Sequence, residues 1–181
     1  MKNFEIPTKE IVNESNKAIF ENLEKTLGFM PNLYATYAHS ETALADYLTL
    51  QNRKSTLKAK EREVINLVVS QINECSYCLA AHTALGKMNG FTDNQILEIR
   101  EGNVTFDEKL NALAQFVKSA VVNRSKPADE ATESLISAGY SNANLVDIIM
   151  VIGDKMTSNF IHGTTKIPVD FPAAPKLTVA H

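Results

Sequence analysis

The sequence predicts an all-α fold, and three observations support this prediction. Apolar residues recur every three or four positions in most segments, which is typical of helices with one buried face. No segment alternates apolar and polar residues between turn dipeptides, as strands would. The apolar pattern also repeats, because a shift of 49 positions aligns Val64 and Leu67 with Leu113 and Phe116. Two related helical repeats are therefore expected to stack on one another.

The length and composition favour one domain. The chain has 181 residues, of which 44% are hydrophobic, enough to form an ordinary core. We expect N-terminal helices within residues 8–52, a first repeat at about 59–101 and a second repeat at about 105–163. The tail, residues 164–181, contains several prolines and should be extended.

The N-terminal part predicts three helices. A helical pattern runs from about residue 8 to residue 27, and Gly28 follows as a stop signal. Pro31 suits the first position of a short second helix. Ser40, followed by an acidic residue, is expected to start a third helix.

The first repeat begins with a helix that is apolar on most sides. This helix, at about 61–73, is expected to be buried at the centre of the fold. Asn73 is a plausible N-cap for the next helix, which should run to about Met88. Thr92 and Gln95 form the pattern of a capping box for a third helix. In the second repeat, helices are expected at about 106–122, 127–138 and 141–161.

The charge and hydropathy patterns exclude several classes of partner. The formal net charge is −3 and basic residues form no long run, which argues against a nucleic-acid partner. No apolar run approaches the roughly 20 residues that cross a bilayer. Residues 1–5 lack the apolar segment of a secretory signal. A cytoplasmic protein without a membrane partner is therefore predicted.

Both cysteines lie in one short segment, residues 74–82. In a helix, Cys75, Cys78 and His82 would lie on one face, because residues three or four apart are neighbours. A CxxC pair in the cytoplasm is kept reduced or cycles, so redox chemistry or metal binding is indicated. None of these residues recurs in the second repeat, and neither does Glu63. The chemistry is thus assigned to the first repeat alone.

A redox site needs a thiolate, since the thiolate is the nucleophilic form of cysteine. The helix start and His82 would both favour the anion, and Cys78 is the preferred site of attack by peroxide. Cys75 is expected to be the more exposed cysteine and to form the disulfide. If the two helices pack antiparallel, Glu63 can orient His82 or relay its proton. Tyr77 is expected to form a wall of the pocket.

The same residues are compatible with other functions. The same cysteines would serve a non-catalytic redox switch or a partner-binding protein. A metal-binding module would need a fourth ligand, and His39 or His162 would have to supply it. The cysteines could also be simple packing residues. The pattern favours an enzyme with no metal and no cofactor over these alternatives.

The spacing of these residues resembles a known family. Glu63, eleven residues, then Cys75-Ser-Tyr-Cys78-Leu-Ala-Ala-His82 is similar to the pattern E-x(11)-C-x-x-C-x(3)-H. That pattern is typical of the alkylhydroperoxidase D branch of the carboxymuconolactone decarboxylase family. Further segments resemble its peroxidase-related subgroup, namely residues 27–33, 38–40 and 170–172.

The resemblance implies an alkylhydroperoxidase D-like helical bundle that assembles as trimers or hexamers. It implies an antioxidant enzyme that reduces small hydroperoxides with a thiol reductant such as a lipoylated protein. In the family's relay, Glu63 and His82 would activate Cys78, and Cys75 would be its disulfide partner. Tyr77 stands where some members have a histidine, so this relay position is not matched. Decarboxylases of the same fold generally lack the cysteine pair, which makes lactone decarboxylation a weaker alternative.

Overall fold

A computed structural model describes residues 4–177, and all regular secondary structure in this range is helical, which confirms the predicted all-α fold. Residues 1–3, used in the signal-peptide prediction, and residues 178–181 of the predicted tail lie outside the described range. The helices are α1 (Glu14–Leu27), α2 (Asn32–Tyr37), α3 (Ala43–Asn52), α4 (Ala59–Ile72), α5 (Ser76–Met88), α6 (Asp93–Glu101), α7 (Glu108–Val122), α8 (Asp129–Ser137) and α9 (Asn142–Thr165).

Helix α4 lies at the centre of the molecule. It packs against α5, α6, α7 and α9, so it is enclosed on most sides, as its apolar pattern predicts. Burial of each large apolar side chain contributes about 1.5–3 kcal/mol, and α4 is therefore a main source of stability. Its fully buried apolar residues are Val64, Ile65, Leu67, Val68 and Val69.

Two apolar clusters meet near this helix. The larger one joins α4 to α6, α7, α8 and α9. The smaller one joins α1, α2 and α3 to the start of α5 and to the C-terminal tail. Both cysteines belong to the smaller cluster, so the predicted site lies beside α4 where the clusters adjoin. The smaller cluster contains Phe20, Leu33, Tyr37, Leu44, Cys75, Tyr77, Cys78 and Ile167, among others.

The prediction that α1 starts at about residue 8 is wrong. The helix begins at Glu14, because the side chain of Asn13 accepts a hydrogen bond of 2.8 Å from the backbone N–H of Asn16 and caps it there. The predicted stop is confirmed. Gly28 has φ +83°, a left-handed conformation that glycine adopts without steric cost.

The predicted starts of the next two helices are also displaced. Pro31 is the N-cap of α2 rather than its first residue. Ser40 does not start α3, which begins at Ala43. The N–H of Ser40 donates to the carbonyl of Tyr37, and its carbonyl accepts from Asn16, so Ser40 belongs to the preceding turn.

The later helices follow the prediction closely, with small shifts at their ends. The predicted shift of 49 positions relates the first residues of α4 and α7, Ala59 and Glu108. The same shift relates the first residues of α6 and α9, Asp93 and Asn142. Helix α9 continues four residues past the predicted end, to Thr165. The chain from residue 166 to residue 177 is not helical, as its prolines predict. Within residues 4–177, no helix is both long and apolar enough to cross a membrane.

Candidate active site

The turn between α4 and α5 sets the position of the two cysteines. The prediction that Asn73 caps the start of α5 is wrong, because Asn73 ends α4. The backbone then passes through Glu74 with φ +52°, and the N–H of Cys75 donates to the carbonyl of Ser70. Cys75 is the N-cap of α5, and its Sγ accepts from the N–H of Cys78 at 3.3 Å. Both sulfurs therefore lie at the positive end of a helix, which favours a thiolate.

Glu63 and His82 face each other between α4 and α5. Oε2 of Glu63 lies 2.8 Å from Nδ1 of His82, and each side chain is only 9% exposed. An ionised carboxylate can only accept a hydrogen bond, so Nδ1 carries the proton. Nε2 of His82 makes no hydrogen bond to the residues that the structure describes, and it is available to another group. The sequence predicted this juxtaposition, and the structure contains it.

The pKa of Glu63 reflects this pairing. Burial alone would raise the pKa of the carboxyl group. Attraction to His82 and the hydrogen bond with it outweigh burial, with smaller contributions from Lys155 and Asn66, so the pKa is lowered. Glu63 is consequently ionised at neutral pH, as an orienting carboxylate must be.

The two thiols differ in acidity. The hydrogen bond from Cys75 lowers the pKa of Cys78 to about 6, and attraction to Lys155 and His82 and a hydrogen bond with Asn159 act in the same direction, against burial. The pKa of Cys75 is raised well above its usual range, because its thiol donates to Cys78 and is buried. At neutral pH, Cys78 is the thiolate and Cys75 is the neutral donor.

A cavity of about 380 Å³ opens beside Cys78 and His82. Neither Cys75 nor Glu63 lines it. Cys75, predicted to be the more exposed cysteine, is as buried as Cys78: their exposed fractions are 3% and 2%. Only Cys78 borders the cavity. The N-cap role of Cys75 turns its sulfur back toward the backbone of α5, which explains the difference.

Most of the cavity wall is apolar or aromatic. Tyr77 belongs to this wall, as predicted, and its hydroxyl oxygen accepts a hydrogen bond of 3.2 Å from the N–H of Leu33. Phe171 of the tail packs edge-on against Tyr77, so the tail closes one side of the cavity. Other apolar lining residues are Leu27, Phe29, Pro31, Leu33, Ala81, Ala84, Leu85 and Met88.

Sequence reasoning missed two polar residues at this site. Lys155 lines the cavity and is 2% exposed, and Asn159 lies one turn further along α9. No motif marks either residue, because both reach the cysteines only through the packing of α9 against α4 and α5. The spacing of Lys155 and Asn159 on one face of a helix was the only available signal.

The remaining histidines have other surroundings. Nε2 of His39 lies 2.9 Å from the carbonyl oxygen of Glu5. The ring of His162 lies 5.6 Å from that of Tyr77, measured between centroids. Among residues 4–177, no group of three or more histidine, cysteine or acidic side chains is arranged to hold a metal ion.

The fold and the site together define an all-α protein with a buried thiol pair beside a Glu–His pair. Residues 38–119, which include all four of these side chains, match the family model of the carboxymuconolactone decarboxylase family. The predicted resemblance to this family is thereby confirmed, and the alkylhydroperoxidase D-like fold is shared with solved structures.

Solved structures with this fold cover almost the whole chain. An uncharacterized peroxidase-related protein from Silicibacter sp. TM1040 is 23% identical, with a TM-score of 0.81, over 93% of this chain and 94% of that one. An uncharacterized peroxidase-related protein from Ralstonia eutropha JMP134, described as an alkylhydroperoxidase AhpD core, is 18% identical, with a TM-score of 0.83, over 93% and 92%. The uncharacterized protein YdfG of Bacillus subtilis (strain 168) is 22% identical over 111 residues, 60% of this chain and 76% of that one.

Proposed function

We propose that this protein is a thiol-dependent peroxidase that reduces organic hydroperoxides through Cys75 and Cys78. The observation that carries the proposal is the position of Cys78, a thiol with a lowered pKa that borders an apolar cavity next to His82. A small oxidant in the cavity would meet this sulfur and not Cys75. The peroxidase-related description of two proteins with the same fold agrees with an antioxidant role.

In the proposed reaction, the Cys78 thiolate attacks the terminal oxygen of the hydroperoxide. The O–O bond breaks, an S–O bond forms, and the alcohol leaves with a proton delivered through His82. Glu63 holds the imidazole in the orientation that this transfer requires. Cys78 then carries a sulfenic acid.

The Cys75 thiol next displaces the sulfenic hydroxyl group, and its own proton leaves with that group as water. The S–S bond that forms is reduced by an external dithiol, which supplies two electrons and two protons. A dihydrolipoyl group on a carrier protein is a suitable reductant of this class. A reducing compartment such as the cytoplasm would keep the cycle running.

Steady-state consumption of cumene hydroperoxide with dihydrolipoamide tests the proposal. We expect continuous turnover by the natural protein and none by Cys78→Ser, and a large loss in His82→Ala. Dimedone should label Cys78 in Cys75→Ser, where the sulfenic acid has no partner thiol. Full turnover by Cys78→Ser would refute the assignment.

The same assay separates the main alternative. A redox switch or partner-binding protein would oxidise once per site and then stop, even with dihydrolipoamide present. A lactone decarboxylase would release carbon dioxide from a carboxylated lactone without any change in the thiols.

We also propose that the chain forms homo-oligomers. One face of α9 presents large apolar side chains to solvent at helical spacing: Val146, Ile149, Met150 and Phe160 are 60%, 56%, 38% and 67% exposed. Light scattering after size exclusion should give a mass of three or six chains. Val146→Glu together with Phe160→Glu should lower that mass, and a monomeric natural protein would contradict the proposal.

A further inference from the structure

Lys155 is a buried cation for which the described part of the chain supplies no carboxylate partner. The residue is 2% exposed and reaches the cavity that Cys78 and His82 also line. Among residues 4–177, no carboxylate oxygen lies within the 4.0 Å of its Nζ that defines a salt bridge. Burying a charge without a partner is strongly unfavourable, so a counter-charge is expected nearby.

Two buried acidic side chains, Glu63 and Asp154, come near Lys155 in the fold or in the chain, and neither pairs with it. Glu63 is bound to His82 and lies 3.4 Å from the amide of Asn66. Asp154 is buried too, but it faces a separate small cleft that it shares with Arg53 and Arg62. Among residues 4–177, neither carboxylate forms a salt bridge with Lys155.

Among the acidic groups that line the cavity, burial raises the pKa of the phenols of Tyr34, Tyr47 and Tyr77, so they stay neutral. The thiol of Cys78 is the lining group that can carry a negative charge at neutral pH. The groups around it come from four parts of the chain. Tyr37 of α2, Cys75 and His82 of the α5 segment and Lys155 of α9 act on Cys78 directly. Glu63 of α4 lies behind His82, and Asp154 of α9 acts on Tyr37. Since Glu63 and His82 form one charge pair, a second pair made by Cys78 and Lys155 would balance the charges in this buried region.

We propose that the ammonium of Lys155 is the counter-charge of the Cys78 thiolate. Lys155 is thus a positioning residue that keeps the sulfur ionised in the reduced protein and acts through Cys78. The attraction between Lys155 and Cys78 agrees with the direction in which the pKa of that thiol is shifted. The inference rests on the proposed function only in taking Cys78 as the reacting sulfur.

The test is the pH dependence of alkylation of the reduced protein by iodoacetamide, with the modified cysteine identified by peptide mass spectrometry. Lys155→Met removes the positive charge and keeps a side chain of similar length. Lys155→Gln removes the charge but keeps a polar side chain, and Lys155→Arg keeps the charge. Lys17→Met, an exposed residue of α1, is the matched control. Circular dichroism checks that each variant is folded.

We expect both neutral variants to shift the alkylation midpoint of Cys78 upward by about one pH unit or more. At pH 6 their rates should fall about five- to tenfold, whereas at high pH, where every thiol is ionised, the rates should converge. Lys155→Arg and Lys17→Met should keep the natural profile. An unchanged profile in a folded Lys155→Met or Lys155→Gln variant would overturn the inference, and so would the same shift in Lys155→Arg.

The readout is independent of peroxide turnover. A shift in the alkylation midpoint without any hydroperoxide turnover would support the role of Lys155 and refute the proposed enzyme. Hydroperoxide turnover without a shift in the alkylation midpoint would support the proposed enzyme and refute the role of Lys155. The two proposals can therefore fail separately.

Discussion

Oε2 of Glu63 lies 2.8 Å from Nδ1 of His82, and the pair is buried between the neighbouring helices α4 and α5. The carboxylate accepts from Nδ1, which leaves Nε2 as the nitrogen that can exchange a proton at the cavity. Because both side chains are almost fully enclosed, the pair is held in one orientation. Replacing the carboxylate of Glu63 tests whether this pair takes part in the reaction.

Glu63→Gln keeps the shape of the side chain but removes its charge. The amide cannot stabilise a positively charged imidazole, so peroxide turnover should fall about 10²-fold, with little change in KM. Steady-state assays with cumene hydroperoxide measure the effect. Glu133→Gln, at an exposed position of α8, is the control and should retain full activity. Equal turnover in the two variants would remove Glu63 from the mechanism.

The pKa of Cys78, lowered to about 6, predicts how its reactivity depends on pH. The thiolate is the reactive form, so the rate of alkylation or oxidation should be nearly constant above about pH 7. Below about pH 5 it should fall about tenfold per pH unit as the thiolate is protonated. Stopped-flow measurements over this range follow the change.

Cys75→Ser tests the main cause of that lowered pKa. A serine hydroxyl replaces the thiol donor with a different length and geometry, so the midpoint should move up toward the ordinary cysteine value of about 8.5. A midpoint near 8.5 already in the natural protein would show that Cys78 is not a stabilised thiolate.

The cysteines, His82 and Glu63 could be predicted because their relationships are mostly local. Residues three and four apart on α5 share a face whatever the rest of the fold does, and a short turn brings α4 alongside. The fold class was equally accessible, since the period of the apolar residues reports the helix directly.

The role of Cys75 as a cap could not be predicted from the sequence. It depends on a left-handed Glu74, a conformation that side chains rarely adopt and that no glycine signals here. Lys155 was missed for a different reason. A lysine in a helix usually indicates a solvated face, and only the packing of α9 across the α4–α5 pair buries this one. Long-range packing carries no local signature.

The cavity predicts a preference for bulky apolar hydroperoxides. Leu33, Met88 and Phe171 offer apolar contacts to an alkyl or aryl group, and hydrogen peroxide cannot use them. Ala84→Phe adds a ring to the wall of the cavity and should reduce kcat/KM for cumene hydroperoxide by about tenfold or more, mainly through KM. Hydrogen peroxide should react at its original rate.

Ala84→Ser is the matched control for that substitution, because it changes the polarity of the wall but hardly its volume. It should retain most of the activity toward cumene hydroperoxide. An equal loss toward both peroxides in Ala84→Phe would indicate a disturbed site instead of a filled cavity.

Asp147 joins α9 to the segment that precedes α4. Its carboxylate accepts from the backbone N–H and hydroxyl group of Thr56 and lies 2.7 Å from the guanidinium of Arg53. The hydrogen bonds from Thr56, followed by that from Arg53, hold the pKa of Asp147 far below its usual range. The ionised form is therefore much more stable in the folded protein than in the unfolded chain.

Asp147→Asn should lower the free energy of unfolding at pH 7 by about 1.5–3 kcal/mol, because bonds to a charged acceptor become bonds to a neutral one. A lowered folded-state pKa contributes stability that is complete above the unfolded value of about 3.9 and is lost as the pH falls toward the folded value. Urea denaturation at pH 7, 5 and 3 should thus show a difference between natural protein and variant that is constant at first and narrows below about pH 4. Asp46→Asn, at an exposed position of α3, should change stability by less than about 0.5 kcal/mol at every pH. If the difference in the free energy of unfolding stayed the same below about pH 4, the shape of Asp147 and not its charge would be the source of the stability.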